Sequence, residues 1–111
     1  VKLPEEVQEM YDWTMEVLTG ELAASKGARD TLINVKPNRL IRKLKIDQGR
    51  MELLAQQHVD DALGKMDLLN RLAFAYLTGE EQLIEQSEAG IRIMAGIYAT
   101  RDGYKPSWKL S

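Results

Sequence analysis

Apolar residues recur along this chain at intervals of three and four, the spacing that gathers them on one side of an α-helix. Over residues 4–25 the recurring positions are Val7, Met10, Tyr11, Met15, Leu18, Leu22 and Ala23, with Trp13 and Val17 widening the face. Pro4 ahead of Glu5 and Glu6 supplies a fixed φ, and puts acids where the positive end of the helix dipole favours them. Gly20 costs this first helix about 1 kcal/mol relative to alanine, which a tertiary contact offsets. Between Ser25 and Pro37 the periodicity fails, and Gly27, Asp30, Asn34 and Pro37 are turn or cap formers. A loop is expected there, with a short extended piece at Thr31-Leu32-Ile33-Asn34-Val35.

A long helical stretch is expected from Pro37 to Thr78. Pro37 suits the first position of a helix, because its missing N–H would be unbonded there anyway. Leu40, Ile41 and Leu44 make a short apolar face with Arg39, Arg42 and Lys43 around it. Asp47-Gln48-Gly49 separates this basic piece from the next, with Asp47 as an N-cap. From there Met51, Leu54, Ala55, Val59, Ala62, Leu63, Met66, Leu69, Leu72, Ala73, Tyr76 and Leu77 keep the helical spacing with no proline between them. A continuous helix over Asp47 to Thr78 spans roughly 48 Å. That is long for a small compact domain, so the expectation is a break near Gly64 or a helix that protrudes to a partner.

Thr78-Gly79-Glu80-Glu81 predicts a stop at the glycine and a capping box with Thr78 as N-cap and Glu81 at the third position. The last helix, over residues 79–101, carries Leu83, Ile84, Ile91, Ile93, Met94, Ile97 and Tyr98 among Ala89, Gly90, Ala95 and Gly96. Its second half is apolar or small nearly all round, interrupted only by Arg92. Such a helix is expected to be buried on several sides, either at the centre of a bundle or across an oligomer interface. Asp102-Gly103 closes it, and the rest reads as an extended tail. The fold predicted is therefore all-α: a helical bundle of about four helices with one long helix, oligomeric, with residues 1–111 a single domain and 102–111 its C-terminal tail.

Composition agrees with a folded domain, since 44% of residues are hydrophobic and 29% charged, with only 3 Pro and 8 Gly. The absence of cysteine excludes disulfide frameworks, thiolate zinc sites and a cysteine nucleophile. No apolar run reaches the roughly 18 to 20 residues that cross a bilayer, and Val1-Lys2-Leu3-Pro4 has no signal-peptide character. The expected protein is soluble and cytoplasmic with no membrane partner. A first residue that is Val rather than Met is what a processed product, a fragment or the ordered part of something longer would show.

The net charge of −2 conceals a segregation. Residues 1–25 hold one base against six acids, residues 26–50 eight bases against two acids, and the remainder six bases against nine acids. An acidic helix thus precedes a basic segment. Lys36, Arg39, Arg42, Lys43, Lys45 and Arg50 crowd cations onto a few helical turns, and phosphate backbones attract such clusters without any sequence code. These six are the candidate nucleic-acid-binding residues. The competing reading is internal, with the acidic first helix neutralising them within the chain or across a dimer. In the tail, Tyr104 and Trp108 alternate with Lys105 and Lys109, an arrangement able to stack on bases or to dock on a protein partner. The bland alternative is a tail that packs back onto its own domain.

Catalytic signals are sparse. His58, the single histidine, has Asp60 and Asp61 nearby, but on a helix only Asp61, three residues on, shares its side, and Leu54 and Ala62 flank it. It reads as a histidine at the edge of an apolar face. Carboxylate pairs at helical spacing suit magnesium or manganese: Glu5/Glu9, Asp12/Glu16, Glu81/Glu85, Glu85/Glu88, and Glu52 with Asp60 or Asp61. An acidic first helix with Glu6-x-x-Glu9, followed by a helix bearing Asp60, Asp61 and Asp67, resembles in outline the all-α nucleotide pyrophosphohydrolases. Paired Glu-x-x-Glu and Glu-x-x-Asp motifs bind magnesium in that family. The present chain departs from the pattern, because its Glu-x-x-Glu sits at the very start of the helix and its long helix has no Glu-x-x-Asp. A solvated acidic face is the simpler reading. Glycine-rich phosphate loops, G-x-S-x-G, H-E-x-x-H and Cys-His spacings are all absent.

The function expected is that of a non-catalytic helical assembly or adaptor protein, a homo-oligomer that binds nucleic acid through the basic segment 36–50 and a protein partner through Tyr104 and Trp108. It needs no cofactor and no metal. The alternative is a metal-dependent all-α hydrolase using helix-borne carboxylates.

Overall fold

A computed structural model describes residues 3–34 and 47–110, and all regular structure among them is helical. Three helices follow one another: α1 (Glu5–Asn34), α2 (Gln48–Thr78) and α3 (Glu81–Asp102). Among the described residues that is one helix fewer than the four expected. The basic piece over Pro37 to Lys45 lies outside them. No described helix is long and apolar enough to cross a membrane.

Local chemistry explains most of the helix ends. Pro4 offers its carbonyl to Gln8 N–H at 2.8 Å, the first bond of α1. Asp47 caps α2 as its sequence context predicts, its Oδ1 accepting from Arg50 N–H at 3.0 Å while its carbonyl accepts from Met51 N–H. α3 closes on Gly103, whose φ of 67° is left-handed. Gly103 N–H bonds to Thr100 O and Tyr104 N–H to Ala99 O, the paired bonds of a Schellman motif.

Three expectations need correcting. α1 does not stop at Ser25 but continues through Gly27 and Asp30 to Asn34, so residues 26–34 are neither loop nor strand. No proline forbids a helix there, and the roughly 1 kcal/mol intrinsic cost of a helical glycine is a weak prior that packing overrides. Arg29 Nη1 donates to Gln56 Oε1 at 3.0 Å and Gln48 Nε2 to the Leu32 carbonyl, which holds this extension against α2. α2 does not break at Gly64; it is one helix of 31 residues, about 46 Å long. The capping box at Thr78 does not form. Thr78 belongs to the last turn of α2 and its hydroxyl donates back to Ala75 O at 3.2 Å, so Glu80 stands at the N-cap of α3 with no side-chain cap bond. Gly79, at φ 72°, makes the reversal between the helices.

The chain gathers into two compact units, one comprising Val1–Leu18 and Gly64–Ser111, the other Thr19–Leu63. In the first, Val7, Met10 and Leu18 of α1, Leu69 and Leu72 of α2, and Ile91, Ala95 and Tyr98 of α3 form the core, joined by Trp108 of the tail. In the second, α1 and α2 run antiparallel, since Arg29 meets Gln56 while the later Leu32 meets the earlier Gln48. Its buried apolar residues, Ala55, Val59 and Ala62, are small. An open groove of about 350 Å³ runs beside them between Ala24, Ala28, Leu32, Met51 and Leu54, with His58 on its rim.

Candidate interaction surface

Residues predicted to carry function fall into three places. Lys36, Arg39, Arg42, Lys43 and Lys45 lie outside the described residues. Arg50, the sixth base, is exposed in the first turn of α2. Tyr104 and Trp108 belong to the first unit, and they face inward to different degrees. Trp108 is 4% exposed and sits in the core, its ring centroid 5.6 Å from that of Trp13 and 6.0 Å from that of Tyr104. Tyr104 stacks on Trp13 at 4.8 Å with the rings 13° apart, and stays 44% exposed. A tryptophan so placed anchors its own tail and offers no free face to a partner.

The tail is tied down by two glutamates of α1 and by the arginine that interrupts the apolar half of α3. Glu6 Oε1 accepts from Lys109 N–H and from Arg92 Nη1, both at 2.7 Å. Arg92 also donates to Glu88 Oε1 at 2.8 Å and to the Lys109 carbonyl. Ser107 donates its hydroxyl to Glu9. The backbone bond from Lys109, followed by the one from Arg92, holds the Glu6 carboxyl below its ordinary value. Burial works against the Arg92 charge, but the bonds to Glu6 and Glu88 outweigh it and leave the guanidinium above its usual value. Tyr76, whose hydroxyl donates to Glu88 Oε2, is raised first by burial and then by that neighbouring charge. Arg92 was visible in the sequence only as a lone charge in an apolar helix. Its partners Glu6 and Lys109 lie 86 and 17 residues away, beyond any local pattern.

This clasp makes stability depend on pH in a definite direction. A carboxyl whose value is lowered on folding contributes fully above its unfolded value, about 4.3 for glutamate, and loses that contribution as pH falls through the lower folded value. The thermal midpoint of the wild type is therefore expected to drop more on acidification than that of Glu6→Gln. The gap between the two should be widest near neutrality and close below the ordinary glutamate range. Parallel acid titration curves for the two proteins would show that the clasp contributes nothing.

Several large apolar side chains of the first unit are exposed. Ile93 and Ile97 of α3 are 64% and 65% exposed, and Phe74 and Leu77 of α2 are 59% and 63% exposed. The expectation that the second half of α3 is buried on several sides is met on one side only, by Ile91, Ala95, Tyr98 and Ala99. Beside Ile93 lies an open groove of about 420 Å³, walled by Ala89, Ile93 and Leu110, with Glu85, Glu88 and Arg92 along it. On α2 the apolar stripe read from spacing also divides: Leu69 and Leu72 are fully buried, whereas Met51, Leu54, Leu63 and Leu77 stand between 42% and 63% exposed.

Among the described residues no three histidine, aspartate or glutamate side chains converge on a point that could hold a metal ion. The pairs Asp12/Glu16 and Glu81/Glu85 stand on exposed helical surface, Glu52 and Glu88 are half-buried, Glu88 accepts from Arg92 and Tyr76, and Glu6 and Glu9 are engaged with the tail. His58 is exposed beside apolar neighbours. Comparison of the chain with protein-family models, with curated proteins and with solved structures gives no match.

Proposed function

We propose that this protein is a non-catalytic helical assembly or adaptor module, which works by associating through exposed apolar faces of its helices. The observation that carries the reading is the pair Ile93 and Ile97, each about two-thirds exposed, on a helix whose opposite face is buried. Isolated apolar residues on a surface are ordinary, but large side chains grouped on one face favour an interaction site. Phe74 and Leu77 near the end of α2 are exposed as well.

Helix-borne metal chemistry, the other reading of the acidic pairs, lacks a convergent donor set among the described residues. Nucleic-acid binding rests on the charge pattern of residues 36–50 alone, and the proposal does not require it. Light scattering coupled to gel filtration tests the assembly reading directly. The expected mass at micromolar concentration is a multiple of the 12.6 kDa chain. A compact monomer at every accessible concentration, with no binding partner, would remove its main support.

A further inference from the structure

Residues four apart on a helix form ridges, and the outward ridge of α3 reads Glu85, Ala89, Ile93, Ile97, Arg101. All five are exposed, while Ile91, Ala95, Tyr98 and Ala99 turn the other way into the core. The ridge has a particular order about its middle residue. An acid stands eight residues before Ile93 and a base eight residues after it. A small side chain stands four before and a large one four after. Gly90 and Gly96 flank Ile93, so neither shoulder of the ridge carries a side chain of α3 itself three residues away; the Gly90 side is open, and Leu110 of the tail lies over the Gly96 side. A Cβ at Gly90 would meet nothing within 4 Å, and at Gly96 the nearest atom is Leu110 Cδ2 at 3.6 Å.

We propose that this ridge is the surface by which two copies of the chain pair, α3 against α3, antiparallel about a two-fold axis at Ile93. The inference rests on the assembly reading and names its partner as a second copy. Antiparallel pairing places Glu85 of each copy beside Arg101 of the other, so both ends of the contact carry opposite charges. It sets Ala89 against Ile97 twice, large into small, and Ile93 against itself. The groove over Ala89 and Ile93 is the space that Ile97 of the second copy enters. A parallel pair would instead place Glu85 on Glu85 and Arg101 on Arg101, like charges at both ends. The charge order thus selects both the orientation and a self-complementary partner, as a two-fold contact requires. Arg101 is already positioned at the end of the ridge, its guanidinium 4.7 Å from the Tyr98 ring centroid and 2.7 Å from Asp102 Oδ1.

The absence of cysteine makes the test direct, because a single introduced thiol reports only on its own surroundings. Ile93→Cys, on the axis, is expected to form an intermolecular disulfide under mild oxidation, while Phe74→Cys stays monomeric on a denaturing gel. Glu85→Arg alone and Arg101→Glu alone should each weaken dimerisation on the order of tenfold, and the double variant should recover it. All these positions are exposed, and unchanged circular dichroism melts at low concentration establish that each variant folds. A wild-type chain that scatters as a monomer throughout would overturn the pairing, and one that also binds no partner would overturn the assembly reading with it. A wild-type oligomer that cross-links through Phe74→Cys rather than Ile93→Cys, or in which the double charge variant recovers nothing, would overturn the α3 pairing and leave the assembly reading standing.

Discussion

Trp108→Ala is expected to cost about 3–5 kcal/mol, a large fraction of the roughly 5–15 kcal/mol that holds a domain of this size together. The residue lies in a tail without regular structure, where a substitution would ordinarily be silent, yet its ring is 4% exposed. It packs in a three-ring cluster with Trp13 and Tyr104, at centroid separations of 5.6 Å and 6.0 Å. Offset and tilted aromatic contacts of this kind add to the area term. Removing the indole also releases what the surrounding bonds position, the Lys109 N–H on Glu6 and the Ser107 hydroxyl on Glu9. Trp108→Phe should cost less. Indole Nε1 has no hydrogen-bond partner among the described residues, so phenylalanine gives up volume but also removes a buried donor that is costly to leave unpaired. Urea unfolding followed by the fluorescence of Trp13 reads both variants, with a red shift expected in the alanine protein as that ring loses its cover. A cost below about 1 kcal/mol for Trp108→Ala would mean that the tail is not part of the folded unit in solution.

Leu72→Ala is expected to cost about 2–5 kcal/mol, whereas Phe74→Ala should change stability by no more than about 0.5 kcal/mol. The two residues are neighbours on α2 but point about 200° apart around it. Leu72 is fully buried in the core that also holds Leu69 and Ile91, and an alanine there leaves a cavity that packed helices close only in part. Phe74 is 59% exposed, and its loss removes little area already withdrawn from water. Chemical denaturation of the two variants at low protein concentration measures the contrast. Similar losses would show that α2 does not turn Leu72 inward and Phe74 outward in solution. A loss for Phe74→Ala that grows with protein concentration would show that a partner covers the ring.

Helix identity and several helix ends were legible in the chain because their causes are local. Asp47 caps α2 through its own side chain, three residues from the N–H it satisfies. Gly103 closes α3 because glycine enters the left-handed region at little cost. Pro4 opens α1, since a proline carbonyl can begin a helix that its ring could not continue. Where expectation and structure part, the cause is a residue with two local options. Thr78 could cap the next helix or bond back into its own, and the tight reversal at Gly79 leaves it in the last turn of α2. Gly27 and Asp30 favour turns, but contacts with α2 outweigh that preference and carry α1 on to Asn34. The candidate site was legible only in part. The small and apolar residues of the last helix pointed to close packing or an interface, while the spacing did not say which isoleucines face out.

Sequence by itself determined the all-α class, the helix ends that Asp47 and Gly103 set, and that the second half of the last helix is apolar or small nearly all round. Periodicity, caps and glycine conformations are properties of neighbouring residues, and need no knowledge of the rest of the molecule. Tertiary structure alone decided that Ile91 is core while Ile93 is surface, because a helical segment apolar nearly all round has no intrinsic inward direction and takes the one its neighbours impose. It also decided that Arg92 is a clasp: a charge near the apolar part of a helix is satisfied by whatever the fold delivers, here Glu6 from α1 and the Lys109 carbonyl from the tail. The same choice of direction turned the ridge from Glu85 to Arg101 outward, and with it the surface on which the proposed function depends.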